Sequence, residues 1–240
     1  MRVEILGAPV DRLTLEQAVD RMAGLVEAGR PARVVTLNPE YLYRAVTEDS
    51  SLMELVRRAD LVTADGEGIV WAGRVAGTPF PERVTGIDLM LAMVRRAARE
   101  GWPVFLLGAA PGVAEEAAAN LRRQYPELRV AGTYHGYFQE DEEPAVAELV
   151  REVAPRLLFA ALGAPKQERW IDRYIDSIGS VTAMGVGGSF DVLAGRVTRA
   201  PRWMQRLHIE WLGRLLMEPS RWRRMLVLPR FARLVRRHYR

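Results

Sequence analysis

A chain of 240 residues with 49% hydrophobic content is long and apolar enough to bury a substantial core, which excludes a disordered protein. It holds no cysteine, which excludes disulfides, thiolate nucleophiles and cysteine zinc sites, and its three histidines, His135, His208 and His238, are too scattered for a metal cluster. The net charge of +4 is uneven: residues 196–240 hold thirteen arginines against Glu210 and Glu218, a net +11, so residues 1–195 carry −7.

In chain order, "RVEIL" reads as a short strand, and Thr14 with Gln17 three residues on forms a capping box for a helix ending near Gly29. "ARVVTL" is a strand; "PEYLYRAVTED" is a helix opened by Pro39 with Asn38 as its N-cap. "SSLMELVRRA" is helical, "DLVTADG" is a strand running into a turn, and "GIDLMLAMVRRAARE" has helical apolar spacing closed by Gly101. Four further strands follow in "PVFLLG", "RVAGTYHGYF", "RLLFAALG" and "SVTAMGVGG", separated by the helical patterns "VAEEAAANLRRQY", "EEPAVAELVREV" and "KQERWIDRYIDSI". Apolar strands alternating with amphipathic helices predict an α/β domain, residues 1–195, with a mostly parallel sheet covered on both faces. After Gly195 only helical patterns remain, interrupted by Pro201, Pro219 and Pro229, so residues 196–240 read as an appendage.

That appendage places Trp203, Leu207, Trp211 and Leu215 on one helical stripe, with arginines on other faces. A basic amphipathic segment with tryptophans fits an anionic membrane surface; docking on the body and a nucleic-acid arm are the alternatives, and the preferred expectation is membrane without nucleic acid. The stripe also allows docking on a second copy, so a homo-oligomer stays open. "MRVEILGAPV" lacks the apolar core of a signal peptide, and no run of about 18 apolar residues exists to span a bilayer. The expected location is cytoplasmic, peripheral on the inner face of the membrane.

Three strands end in glycine-rich turns that lead into helices: "LLGAAPG" (Gly108, Ala109, Gly112), "ALGAPKQ" (Gly163) and "MGVGGSFD" (Gly185, Gly187, Gly188). Glycine lets backbone approach a ligand, and helix N-termini favour phosphate, so three such turns in one sheet suggest a nucleotide. Tight packing between strand and helix also selects glycine. Neither the P-loop pattern nor the dinucleotide fingerprint is present, which argues against nicotinamide chemistry. Asp191, just after the third turn, either accepts hydrogen bonds from a sugar or base or caps the next helix.

Polar residues just beyond the carboxyl ends of strands are where open α/β sheets do chemistry. Thr36 and Asn38 follow one strand and Asp65 in "TADGEG" follows another; if those strands are neighbours, the three converge on one rim, with Arg83 and Asp88 of "ERVTGIDL" able to join them. Asp65 is then a candidate general base, against the plain reading of an Asp-Gly turn. The chain has no Asp-x-Asp pair to hold a metal on a diphosphate, so helix N-termini or arginines would have to meet a leaving diphosphate's charge.

Taken together, "TLNPEYL", "ADGEGIVWAGR", "ERVTGIDL", "FLLGAAPGVAEEA", "LGAPKQERWI" and "GVGGSFDVLAGRVTRAPRWM" resemble the WecG/TagA/CpsF glycosyltransferases, in order and across nearly the whole chain, with a pattern most like the N-acetylmannosaminyltransferase branch. The resemblance implies a Rossmann-like (GT-E type) fold and an inverting transfer, without metal or other cofactor, from a UDP-sugar to an undecaprenyl-diphosphate-linked amino sugar at the cytoplasmic membrane face, as in teichoic acid linkage synthesis. It implies Asp65 as base, Thr36 and Asn38 in the sugar pocket, and Arg83 and Gln167 on donor or acceptor. It places UDP on the turns of Gly108, Ala109, Gly187 and Gly188 with Asp191, and gives Arg214, Arg221 and Arg224 to the diphosphate. UDP-N-acetylmannosamine is the expected donor, with UDP-glucose or a UDP-uronic acid as alternatives; a non-catalytic nucleotide or nucleic-acid binding module is the rival from another class.

Overall fold

The computed structural model describes residues 1–198, 204 and 226–239. The chain opens with an antiparallel hairpin of β1 (Arg2–Ile5) and β2 (Ala8–Asp11), turned by Leu6 and Gly7 at positive φ. The other six strands are β3 (Ala32–Leu37), β4 (Leu61–Ala64), β5 (Val104–Gly108), β6 (Val130–Tyr134), β7 (Leu157–Ala161) and β8 (Thr182–Gly185). They form one parallel sheet in the order β4-β3-β8-β7-β5-β6. The parallel α/β expectation holds, with Rossmann-like layering.

Burial on both faces explains why these strands are continuous apolar runs rather than alternating ones. In β7, Leu157, Phe159 and Ala161 enter one core while Leu158 and Ala160 enter another. The first face is covered by α1 (Leu15–Glu27), α5 (Gly86–Glu100), α6 (Val113–Gln124) and α9 (Ser189–Leu193). The opposite face carries α2 (Pro39–Thr47), α3 (Ser51–Arg58), α4 (Glu67–Val75) and the hairpin over β3 and β4. Beside them, α7 (Glu143–Glu152) and α8 (Lys166–Ile178) pack over β5, β7 and β8.

Local signals set the helix starts that matter for the site. The Thr14–Gln17 capping box forms in both directions, and Asn38 caps α2 by accepting the Tyr41 N–H at 2.9 Å. Thr85 caps α5 and Gly101 ends it in the left-handed region. Two elements differ from the sequence expectation. Strand β2 contains Pro9, and α4 contains Gly68 and Gly73, residues that weaken strand and helix respectively. Close packing accounts for both α4 glycines: a Cβ on Gly68 would lie 2.5 Å from Pro39 Cγ, and one on Gly73 2.6 Å from the Phe80 ring.

The last helix, α10 (Val227–His238), lies on α2 and α4. Phe231 and Val235 are buried in the same core as Leu37 and Ile69, and burying Phe231 contributes about 2 kcal/mol. The Tyr239 hydroxyl accepts the Leu6 N–H at 2.9 Å, tying the end of the tail to the hairpin turn. Arg230, Arg233, Arg236 and Arg237 stay exposed. The apolar stripe of this helix is therefore used in docking, and its outward face is cationic. The stripe expected over Trp203, Leu207, Trp211 and Leu215 lies outside the described residues.

Candidate active site

Parallel register sets the first half of the site. Thr36 is paired with Thr63 and Leu37 with Ala64, and the Asp65 N–H donates to the Leu37 carbonyl at 2.9 Å. Side chains alternate along a strand, so Val34 and Leu61, which face α1 and α5, put Thr36 and Asp65 on that same face. There they meet the start of α5. The Gly86 N–H donates to Asp65 Oδ2 at 3.2 Å, and a Cβ on Gly86 would lie 3.2 Å from Thr36 Oγ1 and 3.7 Å from Asp65 Oδ2. Hydroxyl and carboxylate thus flank one glycine at the rim, and the strands expected to be neighbours are neighbours.

Asn38 sits beside them, its side-chain oxygen committed to the α2 cap. Arg83, mostly buried, lies with its Nε 3.5 Å from Glu67 Oε1 in the first turn of α4. Asp88 is turned to its own helix: the Thr85 hydroxyl donates to Asp88 Oδ2 at 2.5 Å, and the Asp88 N–H donates back to Thr85 Oγ1. Thr85, Gly86 and Glu67 were not singled out by sequence reasoning. The Thr-Gly-Ile-Asp order of a helix start was the available signal for the first two.

Thr36 joins this half to the next strand, because its hydroxyl donates to the Gly185 carbonyl at 3.4 Å at the end of β8. The β8 turn continues through Gly187 at φ +52°, whose N–H donates to Gln167 Oε1 at 3.0 Å. Gln167 is 4% exposed, so it reaches the rim from beneath the turn. Asp191 lies in the first turn of α9, whose N-cap is Gly188, so it does not stand at the cap position: the helix begins before it.

Beyond β5 the chain turns at Gly108, φ +126°, and Ala109, φ +60°, with the Ala109 N–H donating to the Ala161 carbonyl at 2.9 Å. The first turn of α6 carries Glu115 and Glu116, and Arg196 grips Glu116 at 2.8 and 2.9 Å, holding that carboxyl below its ordinary range. The anion-favouring end of α6 thus already has carboxylates of its own. Gly108 and Ala109 stand two strands from Gly185, about 10 Å along the rim. Arg214, Arg221 and Arg224 lie outside the described residues. Among the described residues no cluster of three His, Cys, Asp or Glu is placed to hold a metal ion, and no helix is long and apolar enough to cross a membrane.

The arrangement offers a carboxylate and a hydroxyl at one end of a rim, and backbone turns leading away from them at the other. A proton acceptor and a cradle for an extended ligand can be used together in group transfer.

Residues 3–240 match the family model described as the glycosyl transferase WecG/TagA/CpsF family. Among curated proteins, the chain is 36% identical over 215 residues to an N-acetylglucosaminyldiphosphoundecaprenol N-acetyl-beta-D-mannosaminyltransferase of Bacillus spizizenii, covering 90% of this chain and 82% of the relative. A protein of the same name from Bacillus subtilis is 34% identical, covering 84% of this chain and 77% of the relative. One from Staphylococcus aureus is 36% identical over 232 residues, covering 96% and 90%.

Proposed function

This chain belongs to the WecG/TagA/CpsF glycosyltransferase family, and from that premise we propose that it transfers N-acetylmannosamine from UDP-N-acetylmannosamine to undecaprenyl-diphosphate-linked N-acetylglucosamine. The observation that carries the mechanism is the convergence of Asp65 and Thr36 on Gly86 at the sheet rim. Asp65 takes the proton of the acceptor hydroxyl as that oxygen forms its bond to the anomeric carbon. The bond from the anomeric carbon to the diphosphate oxygen breaks from the opposite face, and UDP leaves with the electron pair. One displacement inverts the anomeric centre.

Thr36, hydrogen-bonded across to Gly185, links the sugar end to the β8 turn. Asn38 and Arg83 border the sugar, and the β8 and β5 turns with Asp191 hold the nucleotide end. The absence of an Asp-x-Asp pair supports a reaction without a divalent ion, with arginines, Arg214, Arg221 and Arg224 among them, meeting the diphosphate charge. The exposed arginines of α10 support an electrostatic approach to an anionic membrane surface, where the lipid acceptor resides. The test is a donor screen: the protein with UDP-N-acetylmannosamine, UDP-N-acetylglucosamine, UDP-glucose or a UDP-uronic acid, and a short-chain lipid-diphosphate acceptor. Product mass should show N-acetylhexosamine added only from the first donor; a hexose or uronic acid product would replace the proposed sugar.

A further inference from the structure

Beneath the β8 turn runs a buried polar chain to which the transfer chemistry assigns no proton. Gln167 Oε1 accepts the Gly187 N–H at 3.0 Å, while its Nε2 donates to Glu168 Oε1 at 2.7 Å. Glu168 is only 6% exposed, and Oε2 has no hydrogen-bond partner among the described residues. Burial pushes its carboxyl above the ordinary glutamate range. A carboxyl in that state costs stability, so its benefit lies elsewhere.

The geometry supplies one. A glutamine amide has a donor end and an acceptor end, and only the oxygen suits the Gly187 N–H. Glu168 Oε1 is an acceptor and takes the nitrogen end, which leaves the oxygen facing the turn. With an apolar side chain at 168 that choice is no longer enforced, and the reversed amide sets nitrogen against nitrogen. The strand above is shaped to the same amide: a Cβ on Gly185 would run into the Gln167 side-chain amide. Glycine at 185 leaves the room that the Gln167 amide occupies beneath β8.

We infer that Glu168 is a positioning residue, acting through Gln167 to hold the Gly185–Gly188 turn in the shape that receives the nucleotide end of the donor. This rests on the proposal that the turn belongs to the donor site. Calorimetric titration of UDP into wild type, Glu168→Met and Glu168→Gln, with donor KM and kcat measured alongside, tests it. Glu168→Met keeps the volume and loses the acceptor; it should weaken UDP binding about tenfold and raise donor KM in step, with kcat far less changed. Glu168→Gln retains an acceptor oxygen and should stay within about twofold of wild type. Because the two residues act in series, Gln167→Met combined with Glu168→Met should bind no more weakly than Gln167→Met alone. Wild-type UDP affinity in Glu168→Met, or a double variant showing the product of the two single losses, overturns the inference. If Glu168→Met does not fold, Gln167→Met alone must show the tenfold loss, and unchanged affinity there overturns it. Failure of the wild type to bind UDP would overturn the donor-site reading, and the inference with it.

Discussion

Beyond β3 and β4 the rim of the sheet presents side chains, Thr36, Asn38 and Asp65, whereas beyond β5 and β8 it presents backbone shaped by Gly108, Ala109 and Gly187. The first region suits bond-making, because a carboxylate and a hydroxyl lie on one strand face against Gly86. The second suits holding, because glycine lets main chain approach a ligand and a buried Gln167 fixes one amide from below. The proposed function divides chemistry and binding between these two regions of the sheet, and the Thr36–Gly185 hydrogen bond joins them. The division predicts opposite kinetic signatures for substitutions at the two ends.

The largest effect belongs to the side-chain end. Asp65→Asn should lower kcat by about 10²–10⁴-fold, the range for loss of a general base, while UDP affinity measured by calorimetry stays near wild type. A parallel fall in UDP affinity would break the division. At the backbone end Gly108→Ala should cost about 2–4 kcal/mol in urea denaturation, because Gly108 has φ +126° and its added Cβ would lie 2.5 Å from the Ala161 carbonyl carbon. A stable Gly108→Ala protein would mean that this turn is less constrained than its geometry.

Asn38 tests the boundary between structure and chemistry. Its cap of α2 is worth about 1 kcal/mol, which Asn38→Ala should lose and Asn38→Ser should largely keep. If Asn38 also borders the sugar, turnover should fall in both variants; recovery of turnover with Ser would reduce the residue to a helix cap.

The smallest effect is a pH dependence from Glu168. Its carboxyl, raised by burial, holds its proton more tightly folded than unfolded. The stability linked to it is complete below the ordinary value of 4.5 and is lost as pH rises from there towards the raised folded value. The stability of wild type relative to Glu168→Gln should therefore decline through that window and level off above it. Tyr41, pushed upward by its own burial and then by the charge of Glu168, shares the environment, as do Arg33 and Asp172, which are paired with each other. A relative stability that climbs with pH would show that Glu168 is held as a carboxylate.

Much of this was legible in the sequence because the signals were local. The Thr14–Gln17 box and the Asn38 cap each follow from residues close together in the chain, whereas the meeting of Thr36 and Asp65 on one face was only conditional until β3 and β4 proved to be neighbours. The hairpin was missed because Leu6–Gly7 is not a favoured turn pair and Pro9 demotes a strand. Helix α4 was missed because its two glycines answer to Pro39 and Phe80, neighbours invisible without the fold. Glu168 falls on the stripe of Ile171, Ile175 and Ile178, and a charge on an apolar stripe was a signal, though the link from Glu168 through Gln167 to Gly187 depends on where β8 lies. Within the tail, Phe231 and Val235 show that an apolar stripe beside arginines can be a docking face on the body.

The most direct test is the anomeric configuration of the product formed from α-linked UDP-N-acetylmannosamine in the presence of a metal chelator, read by nuclear magnetic resonance. A β-linked N-acetylmannosamine formed at the same rate with and without chelator is the expected result. An α-linked product, or activity that disappears with the chelator, would contradict a single displacement in which Asp65 takes the proton and no metal ion holds the diphosphate.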